Sequence, residues 1–428
     1  MKADSGTATA ASRVSNMAAG LVGSEIIRLA AEVNERIAKG EQVYNLTIGD
    51  FDPAVFPIPA ELNAGIKKAY DEGHTNYPAA NGVASLREAV ANFIKNNQGL
   101  DYPASDYLIA GGARPLIYAT YKAIVNPGEK ILYPVPSWNN NHYTHLSEAI
   151  GHEILTLPEN RFMPNAEDLP KDLSDIALVA LCSPLNPTGT VLSKEQLEGI
   201  CDRILQENIE REGNRKPLYL MYDQIYWQLT FGDTVHYNPV TLRPEMRKYT
   251  IFIDGLSKAF AATGLRVGWA FGPADVLGKM KALLGHVGAW APKAEQIACG
   301  RYLNNKIACD EYLNWIKTEI NARLVGIYEG FAKLKTEGFA VDCISPQAAI
   351  YLTVRFDLVG KRYEDGVLNS MGDVTNFLLA DAGLALVPFY AFGAPKNSPW
   401  YRISVGTIRK DQIEGIFTRL RTSLEKLS

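Results

Sequence analysis

The sequence predicts an α/β fold in two parts: a large domain with a mostly parallel seven-stranded sheet covered by helices, and a smaller α+β domain formed by the N- and C-terminal segments. Three observations support this prediction. The chain has 428 residues, which is too many for one small core. Apolar strand-like runs alternate with helical stretches from about residue 105 to 273, as in parallel sheets with both faces covered. After residue 275 the pattern changes to long helices and fewer strands.

The first elements are a helix that begins after its candidate N-cap Ser24 and ends at Gly40, and then the short strand VYNLTIG. Seven apolar runs are expected to form the large sheet: DYLIA, EKILYP, HEILTL, IALVALC, PLYLMYD, TIFIDG and RVGWAFG. Helical patterns follow at about 293–306, 309–336 and 373–382, and another ends the chain. The strands expected among these later helices are AAIYLTVRF, LALVPF and YRISV.

These changes of pattern also predict domain boundaries. Residues 1–20 are small and polar and are expected to form a flexible tail, and residues 21–60 the N-terminal segment of the small domain. The large domain is expected over residues 61–315 and the small C-terminal domain over residues 316–428. The boundary near residue 315 is approximate because a long helix is expected to bridge the two domains.

Charge and composition exclude several classes of function. The net charge of −4 gives no strong field for nucleic acid or an anionic membrane, so neither is an expected partner. The five cysteines are widely spread and form no C-x-x-C pair, so neither disulfides nor a metal site are expected. No apolar window is long enough to span a membrane, and the N-terminus lacks the apolar region of a secretory signal. The protein is therefore expected in the reducing cytoplasm.

The first candidate for chemistry lies in the segment TIFIDGLSKAFAATGLRVGWAFGP. A strand leads into a Gly-Leu-Ser turn that carries Lys258, and Arg266 follows eight residues later. A buried lysine has a pKa close enough to neutrality for its amine to condense with an aldehyde. Arginine offers a permanent charge and a planar set of donors for phosphate oxygens. Taken alone, the pair fits a solvated lysine and a surface arginine equally well.

Two further motifs lie at the ends of predicted strands. The segment SPLNPTGTV places Asn186 after an apolar run, in a turn built by Pro187 and Gly189. The segment LYLMYDQIYW places Asp223 at the end of another strand, with Tyr226 three residues later. Each motif alone has an ordinary structural explanation, a turn residue for Asn186 and a helix cap for Asp223.

The order Asn-Pro-x-Gly, Asp-x-x-Tyr and Ser-Lys-x7-Arg resembles that of the fold-type-I pyridoxal-phosphate enzymes, specifically the class I/II, aspartate aminotransferase-like aminotransferases. The resemblance extends from about residue 24 to the C-terminus. It implies pyridoxal 5′-phosphate as cofactor, carried as a Schiff base on Lys258. It also implies that Asp223 keeps the ring nitrogen protonated, which makes the ring an electron sink, and that Asn186 and Tyr226 hydrogen-bond the ring O3′.

The resemblance assigns another group of residues to the cofactor phosphate. A strand enters a Gly-Gly turn before a predicted helix, so the backbone N–H groups of Gly112, Ala113 and Arg114 are expected to face an anion. In the family this anion is the phosphate. Ser257 and Arg266 are implied as further ligands of the cofactor.

Four more residues match family positions. Trp138 matches the aromatic residue that stacks on the cofactor, although a core tryptophan is the competing explanation. Tyr77 matches a tyrosine that reaches the phosphate in the neighbouring subunit, which implies a homodimer with shared active sites. Arg402 and Gly49 match residues that contact the substrate α-carboxylate. Together with Trp138 and Asn186 they are the predicted substrate contacts.

The sequence says least about the substrate side chain. Many aspartate-specific relatives carry a lysine in the Gly-Gly-x turn, where this chain has Ala113 followed by Arg114. The segment GHVGAWAPKAEQ offers His286, Trp290 and Lys293, whose roles the sequence leaves open. These departures weaken the prediction of a dicarboxylate substrate and leave it in place.

The expected activity is transfer of the amino group of an L-amino acid to a 2-oxo acid, by a ping-pong mechanism. Aspartate is the first candidate donor and 2-oxoglutarate the first candidate acceptor. An aromatic or other amino-acid aminotransferase is one alternative, and a lyase or oxidase with the same cofactor is another. A non-catalytic ligand-binding sensor is a more remote alternative.

Overall fold

The N-terminal part of the protein consists of helices around one short strand. The structure is a computed structural model that describes residues 13–21, 23 and 25–428. Most of the predicted tail, and the candidate cap Ser24, lie outside the described residues. The elements of this part are α1 (Asn16–Ala19), α2 (Glu25–Ala38), β1 (Tyr44–Asn45), α3 (Ala60–Asp71) and α4 (Ala84–Gln98). In the part of the chain that is described, no helix has the length and apolar character needed to cross a membrane.

Seven strands form the central sheet. In chain order they are β2 (Tyr107–Ala110), β3 (Lys130–Val135), β4 (Ile150–Leu155), β5 (Ile176–Cys182), β6 (Tyr219–Asp223), β7 (Thr250–Gly255) and β8 (Gly268–Phe271). Their order across the sheet is β2-β8-β7-β6-β5-β3-β4, and β8 alone runs against the other six. Each strand lies within or beside one of the seven predicted apolar runs, so the predicted α/β fold with a mostly parallel sheet is confirmed.

Helices cover both faces of this sheet. They are α5 (Ala113–Ile124), α6 (Asn140–Leu146), α7 (Lys194–Arg211), α8 (Pro239–Leu242), α9 (Ala274–Val287) and α10 (Lys293–Leu303). Two separate groups of buried apolar side chains pack between the helices and the sheet. The inner strands β5, β6 and β7 are continuous apolar runs because both of their faces are buried in this way, whereas the edge strand β4 is mostly exposed.

The C-terminal part forms a smaller α+β unit. Its elements are α11 (Lys306–Thr336), β9 (Val341–Cys343), β10 (Tyr351–Phe356), β11 (Arg362–Tyr363), β12 (Gly366–Val367), α12 (Met371–Ala380), β13 (Leu384–Ala385), β14 (Val387–Pro388), β15 (Trp400–Ser404) and α13 (Gln412–Leu424). Strands β14, β15, β10 and β9 form an antiparallel sheet, and β1 pairs with β13, which joins the N-terminal segment to this unit.

Two expected strands differ in detail from the structure, and the first is the run VYNLTIG, which forms a strand only over Tyr44–Asn45. The run LALVPF was expected to be one strand, but it forms β13 and β14, because its first half pairs with β1 and its second half with β15. The long helix α11 contributes Cys309 to the core of the large sheet and Ile316 onward to the core of the small unit. This helix therefore contributes to both cores, and the predicted domain boundaries, including the one at residue 315, stay predictions.

The topology also determines where functional side chains collect. Strands β5, β6 and β7 are adjacent and parallel, so their carboxyl ends lie at one edge of the sheet. Cys182 at the end of β5 is opposite Asp223 at the end of β6. Asn186 and Lys258 follow the ends of β5 and β7 by a few residues. This edge is where open α/β sheets bind ligands.

Candidate active site

A cavity of about 530 Å³ opens at the carboxyl edge of the central sheet. All the site residues predicted from the sequence line it, except Gly112 and Tyr77: Gly49, Ala113, Arg114, Trp138, Asn186, Asp223, Tyr226, Ser257, Lys258, Arg266 and Arg402. These residues come from both the large sheet and the small unit. The fold therefore brings them together at one place although they are far apart in the sequence.

Lys258 is held in the turn that follows β7. Its Nζ donates a hydrogen bond to the carbonyl oxygen of Gly49, at 2.6 Å. Burial lowers the pKa of Lys258 to about 8; the charge of Asp50 opposes this shift, and three cavity arginines add to it. An amine with a pKa of 8 is about one-tenth unprotonated at pH 7, compared with about one part in three thousand for an ordinary lysine. Lys258 is thus a nucleophile and a base near neutral pH.

Asp223 ends β6 and points a carboxylate into the same cavity. Its Oδ1 accepts a hydrogen bond from the backbone N–H of Ile225, at 3.1 Å. Burial raises the pKa of Asp223 to about 6, while that N–H group and the charge of Lys258 oppose the rise. A carboxylate in such surroundings favours a ligand group that brings a proton or a positive charge.

Tyr226 and Asn186 lie on the same cavity wall. The Tyr226 hydroxyl is 2.7 Å from the hydroxyl of Tyr351 on β10. Burial holds the pKa of the Tyr226 hydroxyl well above its usual range, so it keeps its proton at neutral pH and can donate it. Oδ1 of Asn186 accepts a hydrogen bond from Nη1 of Arg402, at 2.9 Å.

Arg402 presents a buried cation to the cavity. Its side chain is 2% exposed, and its Nη2 donates to the carbonyl oxygen of Thr47, at 2.6 Å. Its Nε is buried without a hydrogen-bond partner, and no aspartate or glutamate among residues 13–21, 23 and 25–428 forms an ion pair with it. A buried, unpaired guanidinium is costly unless a ligand supplies the anion, and a carboxylate fits its planar donors.

One end of the cavity is suited to a larger anion. Helix α5 begins there without a side-chain cap, after Gly112 with a φ of 91°. This φ favours glycine, and the guanidinium of Arg266 lies where a Cβ at position 112 would be. Arg266 donates to the carbonyl oxygens of Thr263 and Gly111, at 2.8 and 3.0 Å. Free backbone N–H groups and a guanidinium thus flank one position.

Trp138 and Arg114 form a stacked pair on another part of the wall. The guanidinium carbon of Arg114 lies 4.6 Å from the centre of the Trp138 ring. Over the described part of the chain, no hydrogen bond or ion pair involves the Arg114 side chain. Trp138 therefore offers an aromatic face to the cavity, and Arg114 a charge that no acidic side chain neutralises.

The remaining candidates lie outside the cavity of their own chain. Tyr77 is 82% exposed, and its ring packs edge-on against Trp290, with 5.3 Å between the ring centres. Nζ of Lys293 donates to Oδ1 of Asn76, at 2.6 Å, and His286 is exposed near the end of α9. None of the three residues whose roles the sequence left open contacts the cavity in this chain.

Comparison with known proteins assigns the chain to a family. The sequence model of the family described as aminotransferase class I and II matches residues 41–420. The chain belongs to this family. The predicted transferase activity is thereby confirmed, and the expectation of a non-catalytic sensor loses its support.

Relatives of this aminotransferase cover nearly its whole length. An aspartate aminotransferase from Geobacillus stearothermophilus is 27% identical, over 96% of this chain and 99% of the relative. An asparagine–oxo-acid transaminase from Streptococcus mutans is 28% identical, over 91% of this chain and 93% of the relative. The crystal structure of the aspartate aminotransferase from Rhizobium meliloti shares the fold, with a TM-score of 0.88 and 24% identity, covering 97% of this chain and 100% of that one.

The structure adds residues to the aminotransferase site that the sequence did not indicate. Asp50, Thr263 and Tyr351 line the cavity, as do Asn140 and Tyr143 from α6. Asp50 accepts a hydrogen bond from Oγ1 of Thr263, at 2.6 Å. Asp50 could have been found from the sequence, because it directly follows the predicted site residue Gly49. Tyr351 could not, because it lies in an ordinary strand pattern with no motif around it.

Proposed function

We propose that this aminotransferase transfers the amino group of an L-amino acid to 2-oxoglutarate with pyridoxal 5′-phosphate bound in the cavity. The observation that carries the proposal is the environment of Lys258, a buried amine of lowered pKa that shares one cavity with Asp223 and Arg402. An amine, an acid and an unpaired guanidinium in this combination suit a bound aldehyde, a protonated ring nitrogen and a carboxylate.

The residues present fit the cofactor part by part. The uncapped N-terminus of α5 and Arg266 suit its phosphate, and the left-handed φ of 91° at Gly112 supports this assignment because it leaves the turn before the helix without a side chain. Asp223 suits the ring nitrogen, Tyr226 and Asn186 suit the ring oxygen, and Nζ of Lys258 suits the aldehyde carbon. The cavity also has the volume that small cofactors occupy.

The side chains of the cavity divide the chemistry between them. When bound, the cofactor supplies a ring that withdraws electrons from the substrate Cα. Asp223 holds a proton at the ring nitrogen, and Arg402 orients the substrate through its α-carboxylate. Nζ of Lys258, which its lowered pKa leaves partly unprotonated at neutral pH, removes the proton from Cα. Trp138 lines the cavity with an apolar ring that would help to exclude water from the reacting atoms.

The charges of the cavity favour an acidic substrate. The described residues that line it include four cationic side chains and two carboxylates, and the assignments above use three of the cations and Asp223. The other carboxylate, Asp50, accepts hydrogen bonds from the hydroxyl of Thr263 and the backbone N–H of Phe51. Arg114 remains without an acidic partner among the described residues. We therefore propose aspartate as donor, with its side-chain carboxylate on Arg114, in agreement with the names of the relatives.

We expect aspartate and 2-oxoglutarate to give glutamate with parallel double-reciprocal lines, as ping-pong kinetics require. Replacing Arg114 with glutamine should raise KM for both substrates by roughly 10- to 100-fold, because a charge-assisted hydrogen bond is lost. KM for phenylalanine as donor should change little. Steady-state assays over a panel of donors measure these effects.

The matched control is Arg247→Gln. Arg247 also stacks on an aromatic ring, 3.7 Å from the centre of Tyr102, but it lies outside the cavity. The Arg247→Gln substitution should leave all the KM values unchanged. Equal changes for acidic and aromatic donors in the Arg114 variant would contradict a role in side-chain recognition. Ammonia formed without glutamate would indicate a lyase.

We also propose that the enzyme is a homodimer in which Tyr77 completes the site of the partner. The support is the exposure of Tyr77, whose phenol reaches no residue of its own cavity although the family places a tyrosine on the phosphate from the neighbouring chain. Trp290 packs against its ring and holds it at the surface.

Mixing Tyr77→Phe protein with Lys258→Ala protein tests this proposal. A hybrid dimer would contain one site with both native residues, so activity should rise above that of either parent after subunit exchange. Sedimentation must first show that hybrids form. Hybrids with no gain over impaired parents, or a fully active monomer, would contradict shared sites and leave the cofactor proposal intact.

A further inference from the structure

Tyr351 contacts two cavity residues that have separate roles in the proposed function, Tyr226 and Arg402. It begins β10 in the small unit, and its hydroxyl is 2.7 Å from that of Tyr226, which follows β6 of the large sheet. The two rings meet edge to face, with 5.5 Å between their centres. Both side chains are buried, so water does not compete for this hydrogen bond.

The same tyrosine also contacts the carboxylate site. The guanidinium carbon of Arg402 lies 4.7 Å from the centre of the Tyr351 ring, within range of a cation–π interaction. The hydroxyl of Tyr351 also lies against Gly49, where an added Cβ would be only 2.7 Å from it. The carbonyl oxygen of Gly49 in turn accepts the hydrogen bond from Lys258. Tyr351 is thus packed against the groups that surround the reacting atoms.

The hydroxyl pair has a directional consequence. A phenol has one proton to donate, so if Tyr226 donated it to Tyr351, none would remain for the cavity. If Tyr351 donates instead, the proton of Tyr226 is free to point into the cavity. An anionic acceptor in the cavity favours the second arrangement, because hydrogen bonds in a chain strengthen one another.

We propose that Tyr351 is a positioning residue: its hydroxyl donates to Tyr226 and thereby directs the Tyr226 proton to the cofactor ring oxygen, while its ring supports Arg402. This inference rests on the proposed function, because it needs the cofactor in the cavity. It adds a residue to the site that links the small unit to the groups that bind the ring.

The test is the pH titration of the visible absorption band of the cofactor-loaded protein, without substrate. A hydrogen bond donated to the ring oxygen stabilises the negative charge of that oxygen. The oxygen then holds less strongly the proton that it shares with the nitrogen of Lys258, which is the proton that the titration removes. Tyr226→Phe and Tyr351→Phe should therefore both raise the midpoint. The rise for Tyr351→Phe should be about 0.5 to 1 pH unit, as one hydrogen bond of ordinary strength allows. The double variant should behave as Tyr226→Phe alone.

The matched control is Tyr401→Phe. Tyr401 is a fully buried tyrosine on β15, and its hydroxyl also pairs with another hydroxyl, that of Thr375 at 3.0 Å, but it lies outside the cavity. The Tyr401→Phe substitution removes a similar hydrogen bond, but it should leave the midpoint of the pH titration unchanged. An unchanged midpoint in Tyr351→Phe, or additive shifts in the double variant, would overturn the role of Tyr351 alone. Absence of the band in the unsubstituted protein would overturn the proposed cofactor together with it.

Discussion

Replacing Lys258 with alanine is expected to slow amino-group transfer from aspartate to the bound cofactor by roughly 10⁴-fold or more. The substitution removes the amine that takes the Cα proton, and among the described residues no other side chain that lines the cavity is an amine. Rapid mixing of the loaded protein with aspartate, followed by absorbance, measures this half-reaction directly. The cofactor should still bind through Arg266 and Asp223, so a slow rate would not be due to an empty site.

The control for this prediction is Lys317→Ala. Lys317 lies on α11, away from the cavity, and burial also lowers its pKa. Its loss should leave the half-reaction at the rate of the unsubstituted protein. A Lys258→Ala protein that transfers the amino group at the original rate would show that another residue is the base.

Replacing Asp223 with alanine should cost far more activity than replacing Tyr226 with phenylalanine. Without the carboxylate the ring nitrogen loses its proton and the ring its capacity to accept electrons, and we expect a loss of roughly 10³-fold in the half-reaction. Without the Tyr226 hydroxyl one neutral hydrogen bond is lost, and Asn186 still faces the ring oxygen. A loss of about tenfold or less is expected for Tyr226→Phe. Single-turnover rates of the two variants decide the order.

Asp254→Asn provides the matched control for the carboxylate. Asp254 is fully buried on the strand β7 next to Asp223, and it accepts hydrogen bonds from Nε1 of Trp227 at 2.8 Å and from the N–H of Gly255 at 2.7 Å. Burial raises the pKa of Asp254 to about 8, so at neutral pH it is mostly uncharged, and Asp254→Asn removes little charge and one of the two accepted hydrogen bonds, outside the cavity. If Tyr226→Phe proved more damaging than Asp223→Ala, the assignment of these two side chains to the ring would be wrong.

Much of the fold followed from the sequence because the central strands are buried on both faces. Their continuous apolar runs contrast with the helices between them, and short turns place Asn186, Asp223 and Lys258 just where the runs stop. The order of the motifs resembled that of a known family, and this resemblance predicted that the three residues share a site. The structure supplies the physical reason, because the carboxyl ends of parallel strands share one edge of the sheet.

The rest of the site depends on contacts that no local pattern encodes. Tyr351 reaches Tyr226 only because the start of β10 lies against the loops that follow β5 and β6, and the two residues are 125 positions apart. The stacking of Arg114 on Trp138 likewise depends on how α5 meets the loop after β3. The division of LALVPF into two strands was set by its pairing partners, which a periodicity does not identify.

Borohydride reduction followed by peptide mass spectrometry tests the assignment of Lys258 most directly. Protein loaded with pyridoxal 5′-phosphate should be yellow, and reduction should remove the colour and leave the cofactor attached through a stable carbon–nitrogen bond. Lys258 should carry the added mass, because its amine is the one that lies in the cavity with a pKa lowered to about 8. A label on a different lysine, or an unlabelled protein that still transfers amino groups, would contradict the proposal.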